Sequence, residues 1–264
     1  MNDKPDEIEQ YKAWLFDTFH VLIDQRTENH YELTSDRIRN SFEQSNIWRT
    51  FVSRFPDYND EYLIEKKYNL FISSDYKPNL QQKTYKSFLE KTYRKNALQN
   101  KNWPNAPEGG WVYPPLWYTQ IHDIVRTLVL VKYLDGVTFI CDKIVDLCDE
   151  EGLSYDLNYE AREEGYYAAH INVEYNCSIP DFKFQTSERT ISAEIQVTTQ
   201  LQEVIRNLLH KHYENCRVRD IGTVDTDRMK WQWDYKCDEF ATNYLGHILH
   251  YVEGMILEIR DKQK

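Results

Sequence analysis

The sequence predicts an α/β fold: a mixed sheet of about five strands, wrapped by helices at both ends of the chain. Three observations predict it. Three- and four-residue apolar spacing dominates residues 5–54 and 229–262. Strand-type alternation is confined to the middle of the chain, near residues 124–131, 168–175 and 190–197. Helical runs separate and follow those strands, as a layered sheet requires.

Residues 5–54 read as helical, because Ile8, Tyr11, Leu15, Phe19 and Leu22 recur on one face, and Thr34-Ser35-Asp36 offers the cap of a second helix. A polar stretch follows Pro56, and the alternating run Tyr68 to Ile72 predicts a short strand. Residues 83–98 return to helix with a basic face, and residues 99–117, rich in Pro, Gly and Trp, predict a long loop. The clearest strand begins near Ile124, in a run through Val131 apolar enough for burial on both faces. Val137 to Cys148 reads as helix, Ala168 to Tyr175 and Thr190 to Val197 as strands, and Thr198 to Asn215 as helix. Arg217 to Arg228 reads as polar linker. Met229 to Lys262 predicts an amphipathic helix or helix pair, with Phe240, Tyr244, Ile248, Tyr251, Val252, Met255 and Ile259 on one side. We expect one domain over 1–264, with N-terminal helices in 1–60, a core over 68–215 and C-terminal helices over 229–262.

Composition narrows the function. A net charge of −11 argues against a protein that coats DNA or other nucleic acid non-specifically, since such binding depends on neutralising phosphates. Twenty Tyr and 7 Trp exceed what a simple core needs and suggest ring surfaces for bases, sugars or a partner. The 5 cysteines lack any Cys-x-x-Cys pair, so neither a disulfide framework nor a cysteine zinc site is expected. No apolar run reaches membrane-spanning length, and the polar, acidic first residues do not read as a signal peptide. The expected setting is the cytoplasm.

Three features carry potential chemistry. Asp123 opens one strand and Glu194 lies within another, and carboxylates on neighbouring strands suit Mg²⁺, which takes one or two carboxylates together with substrate phosphates. A capping Asp123 and a solvated Glu194 are the plain alternative. Gly165-Tyr166-Tyr167-Ala168-Ala169-His170 gives a tight turn into a strand with a ring free to stack on a base, or else a core tyrosine pair. From Lys83 to Lys101, six cations (Lys83, Lys86, Lys91, Arg94, Lys95, Lys101) face one acid, Glu90. Lys91, Arg94 and Lys95 share a helical face suited to a triphosphate or a nucleic-acid end, or simply to solvent.

In chain order, Ser87 to Lys95, Asp123 to Arg126, Gly165 to His170 and Glu194-Ile195-Gln196-Val197-Thr198-Thr199 resemble the RelA/SpoT synthetase family. That family carries a basic Ser-x-x-x-Lys helix, a strand opening with Asp, a Gly-Tyr-x-x-x-His strand and a Glu-x-Gln-x-x-Thr strand. The resemblance covers residues 70–215, and the helices from Trp231 are similar to those of the small single-domain members. It implies a nucleotidyltransferase-like fold and a Mg²⁺-dependent pyrophosphokinase that moves pyrophosphate from ATP to a ribose 3′-hydroxyl. It further implies that Asp123 and Glu194 hold the metal, with Glu194 aiding deprotonation of the hydroxyl. On the same resemblance, Lys83, Lys91, Arg94 and Lys95 would grip the ATP phosphates. Tyr166 would stack on the acceptor base, with His170 and Gln196 beside the acceptor sugar and phosphates.

The departures are informative. Asp-x-x-Gly-x-Arg of the family stands here as Asp123-Ile124-Val125-Arg126-Thr127-Leu128, and its Arg-x-Lys as Gln81-Gln82-Lys83. Two phosphate-binding arginines are missing, and Arg126 is placed to replace one. Gly-Tyr-Tyr-Ala-Ala-His stands for Gly-Tyr-Arg-Ser-Leu-His. These changes look like the toxic small alarmone synthetases, which implies the 3′-CCA end of tRNA as acceptor and a separate antitoxin protein. An alarmone synthetase acting on free guanine or adenine nucleotides is the alternative, and an inactive binding protein a second one, disfavoured by the joint presence of Asp123, Glu194 and Tyr166. His122-Asp123 is also the dipeptide of HD-type phosphohydrolases, but those are all-helical, and here it leads straight into a strand-type run.

Overall fold

The computed structural model describes residues 3–114, 117–183, 185–207 and 230–263. Three helices fill the predicted N-terminal region: α1 (Ile8–Phe19), α2 (Gln25–Glu43) and α3 (Asn46–Ser53). The second does not start at Thr34-Ser35-Asp36. Asp24 caps it, accepting the backbone N–H groups of Arg26 and Thr27 at 2.9 and 3.1 Å. Thr34 and Ser35 lie buried in mid-helix, where Ser35 Oγ donates back to the Glu32 carbonyl.

The stretch after Pro56 is also helix, α4 (Phe55–Lys66). Pro56 sits in its first turn, where a missing N–H costs no intrahelical bond, and Phe55, Tyr58 and Tyr62 are buried. The strand expected at Tyr68 to Ile72 is absent. Asn59 Oδ1 accepts the Leu70 N–H at 3.0 Å, so a side chain takes the place of a ladder partner.

The remaining elements run β1 (Leu80–Gln82), α5 (Tyr85–Tyr93), a π-helical turn (Arg94–Leu98), α6 (Trp117–Gln120), β2 (Val125–Val131), α7 (Leu134–Glu151), β3 (Tyr155–Ala161), β4 (Tyr167–Pro180) and β5 (Thr186–Thr199). Helix α8 begins at residue 200 and is described to 207; a 3₁₀ turn (Trp231–Trp233) and α9 (Asp238–Lys262) follow. The predicted linker Arg217 to Arg228, and the part of the predicted helix beyond 207, lie outside the described residues. The five strands form one mixed sheet in the order β1-β2-β5-β4-β3. β3 pairs antiparallel with β4, Asn158 opposite His170 and Ala161 opposite Tyr167. The Ile124–Val131 run is fully buried on one face only: Val125, Thr127, Val129 and Val131 are buried, whereas Arg126, Leu128 and Leu130 are half-buried.

Two compact units make up the chain. The first holds residues 1–44, 80–126 and 174–194; the second holds 45–79, 127–173 and 195–264. In the first, Tyr31, Phe88 and Trp117 pack in series, tilted and then edge-to-face, with ring centroids 4.4 and 5.0 Å apart. Beside them Tyr11, Trp14, Leu15, Leu89, Tyr93 and Ala97 form a second cluster. In the second, Phe51, Phe55, Phe71 and Tyr76 form a ring cluster. Much of the aromatic surplus is therefore core, not the ring surface its abundance suggested.

Helix α9 buries the polar side chains of Asn243, Glu253 and Arg260. Arg260 Nη2 donates to Asp135 Oδ2 at 2.5 Å and Nη1 to the Tyr62 hydroxyl at 3.0 Å, while Ile248, Tyr251, Met255 and Ile259 of its apolar side are exposed. No described helix is long and apolar enough to cross a membrane.

Candidate active site

The site in the first unit is built around Lys83. Its backbone is fixed on both sides: the N–H donates to the Ile124 carbonyl at 2.9 Å, and the carbonyl accepts the buried Tyr31 hydroxyl at 2.8 Å. The next residue, Thr84, caps α5 by accepting the Ser87 N–H at 3.3 Å, so the helix starts two residues after Lys83. Phe88, Leu89, Thr92 and Tyr93 turn inward, which leaves Lys91 and Lys95, four apart, on the other side. Asn96 ties down the long loop, donating to the Val112 carbonyl at 2.6 Å and accepting its N–H at 2.8 Å.

Asp123 stands two residues ahead of β2, held between two ammonium groups. Lys83 Nζ donates to Oδ2 and Lys91 Nζ to Oδ1, each at 2.7 Å. The carboxylate is 11% exposed, Lys83 10% and Lys91 26%. Burial pushes the Asp123 carboxyl up, but the two lysines override it and hold it at about 2. Burial lowers Lys83, against the pull of Asp123. It also lowers Lys95, whose Nζ donates to the Gln120 carbonyl at 3.3 Å. Arg126, half-buried, lies near enough for its charge to act on Lys83. Arg94 opens the π-helical turn, half-buried.

His122 Nδ1 and Ser192 Oγ share a hydrogen bond of 3.0 Å, joining the approach to β2 directly to β5. Glu194, half-buried, follows Ser192 by two residues and so lies on the same face of β5. Burial, with Lys95 and Lys91 near, lowers the His122 imidazole. Among the described residues, no three His, Cys, Asp or Glu side chains converge as a metal cage.

The second unit contains Tyr166, His170 and Gln196. Gly165 turns the chain into β4 at φ +78°, a conformation that favours glycine. Tyr166 and His170 share a hydrogen bond of 3.0 Å between the hydroxyl and Nε2, and the Arg162 guanidinium lies 5.2 Å from the Tyr166 ring centre. Gln196 is buried.

No family model matches the chain, and no curated protein sequence matches it. Solved structures do. Small alarmone synthetase 2 from Bacillus subtilis matches with a TM-score of 0.51 over 87% of this chain and 97% of its own, at 16% identity. The protein smu.1046c from Streptococcus mutans matches with a TM-score of 0.50 over 91% and 97%, also at 16% identity. The fold is that of the small alarmone synthetases.

Within this alarmone-synthetase fold, the residues singled out by sequence fall into two local groups. Lys83, Lys91, Lys95, Asp123 and Arg126 gather in the first unit, with Glu194 on β5; Tyr166 and His170 pair in the second. Sequence reasoning missed Ser192 and Arg162. Ser192 meets His122 across 70 residues of chain, a partnership no local spacing signals. Arg162 stands opposite Tyr166 across the turn before β4, and only the hairpin register reveals it.

Proposed function

We propose that this chain is an ATP-dependent pyrophosphokinase of the RelA/SpoT synthetase type. The observation that carries the reading is the buried Lys83–Asp123–Lys91 triad: two cations and a hard anionic ligand, drawn from three separate segments, meet within hydrogen-bonding distance. In the transfer, the acceptor 3′-oxygen attacks the β-phosphorus of ATP, the bond between that phosphorus and the α,β-bridging oxygen breaks, and AMP leaves. Lys83, Lys91, Arg94, Lys95 and Arg126 hold the donor phosphates in line, which supplies most of the catalysis in such reactions. Glu194 takes the hydroxyl proton as attack proceeds. Asp123 and Glu194 fit Mg²⁺, because two carboxylates plus phosphate oxygens satisfy it without a complete protein cage. Mg²⁺ held there would supply charge neutralisation to the donor phosphates.

Tyr166 is the acceptor platform, with His170 orienting its hydroxyl and Gln196 of β5 completing the acceptor side. We propose the 3′-CCA end of tRNA as acceptor, modified in the cytoplasm by a translation-blocking toxin with a separate antitoxin. Exposed Lys86 and Lys101, outside the donor cluster, suit a nucleic-acid backbone that extends past a mononucleotide pocket. A free-nucleotide acceptor is the second reading, supported by the net charge of −11 and by the alarmone-synthetase fold.

Reversing Lys86 and Lys101 to Glu distinguishes the two. Under the tRNA reading, tRNA modification weakens and its salt dependence flattens, while ATP binding holds. An unchanged salt slope in the double variant assigns that surface to solvent and favours the nucleotide acceptor.

A further inference from the structure

We infer that the Asp123 site accepts a divalent cation only as a metal–polyphosphate complex, and excludes the free ion, because Lys83 and Lys91 occupy both carboxylate oxygens. The inference rests on ATP as the donor. Each oxygen of Asp123 accepts one ammonium at 2.7 Å, and Lys83 is as deeply buried as the carboxylate. A free cation has to compete with both lysines for the carboxylate: displacing Lys83 strands a buried ammonium, and displacing Lys91 gives up a partly buried ion pair.

The surrounding charge acts in the same direction. Lys83, Lys91, Lys95 and Arg126 gather around Asp123, and the balance stays positive even when Glu194 and Glu174, whose charge reaches His122, are counted. That field repels a bare dication and attracts an anionic metal–triphosphate. A triphosphate brings its own acceptors, so the lysines swing from carboxylate to phosphate on flexible four-carbon stems, and every buried charge stays paired throughout. Lys83 and Lys91 thus serve twice, as counter-ions of Asp123 before the donor arrives and as phosphate ligands afterwards.

Mn²⁺ titration followed by electron paramagnetic resonance tests this without turnover, with the non-cleavable analogue α,β-methylene-ATP as nucleotide probe. Nucleotide-free wild type is expected to bind Mn²⁺ about tenfold or more weakly than Lys83→Gln or Lys91→Gln, a gain expected from removing one competing charge. Asp123→Asn added to Lys91→Gln is expected to abolish the gained site. Thermal melts give a second reading: Mg²⁺ alone leaves the wild-type Tm unchanged, whereas Mg²⁺ with the analogue raises it. Should Lys83→Gln fail to fold, the more exposed Lys91 carries the test. Wild type that binds free Mn²⁺ as tightly as Lys91→Gln overturns the inference and leaves the donor reading standing. Failure of the analogue to bind, with or without metal, overturns the donor reading and this inference with it.

Discussion

At Asp123, burial and charge oppose each other, and charge wins by pairing. Its carboxyl is held at about 2, below the ordinary 3.8, so its contribution to stability is present above pH ~4 and lost as pH falls through about 2. The contribution is on the order of 2 kcal/mol. Denaturant midpoints of wild type and Asp123→Asn should therefore differ fully at pH 7 and converge near pH 2; a constant difference across that window contradicts the paired-carboxylate account. At Tyr166, Tyr166→Ala should remove ~1–3 kcal/mol of acceptor binding, read as a raised acceptor KM. Tyr166→Phe keeps the ring, loses only the His170 bond and should be far milder. A Tyr166→Ala protein that unfolds instead identifies a core tyrosine. The sequence showed these residues singly, because a family-like order of motifs marks charged and aromatic positions. It did not show Ser192, whose partner lies 70 residues away, or Arg162, whose partner lies across the turn before β4.

Among the elements, the turn before β4 and helix α9 depend on each other. A Cβ at Gly165 would stand 2.4 Å from the Asn243 carbonyl oxygen and 3.1 Å from the Gly246 Cα, in backbone already at positive φ. Gly165→Ala should cost about 2 kcal/mol or more in a denaturant melt and weaken acceptor use by moving Tyr166. Wild-type stability in that variant would show that helix and turn are not in contact as described. Legibility varied with what an element buries. Helices α1 and α7 and strands β2, β4 and β5 announce themselves by apolar period. β3 hides because most of its positions are exposed, and β1 because it is three residues long. The period of α9 reveals two sides but not which one packs: Arg260, Asn243 and Glu253 go inward because Asp135, Tyr62 and Gln202 receive Arg260 and Glu253 there.

For the whole molecule, charge is the decisive property. The chain carries −11, yet its candidate donor site concentrates cations around one buried carboxylate. On the proposed reading, such a local field would direct polyphosphates to one place on an otherwise acidic protein. The fold class was legible because periodicity separates sheet from flanking helices; the acceptor was not, because it depends on surfaces without a motif. The most direct test of pyrophosphate transfer is incubation with γ-labelled ATP, Mg²⁺ and either bulk tRNA or GDP, scoring label on the acceptor against AMP released. Pyrophosphate transfer predicts labelled acceptor and AMP in equal amounts, both lost in Asp123→Asn and in Glu194→Gln. Label appearing with ADP in place of AMP, or near-wild-type turnover in both variants, would contradict it.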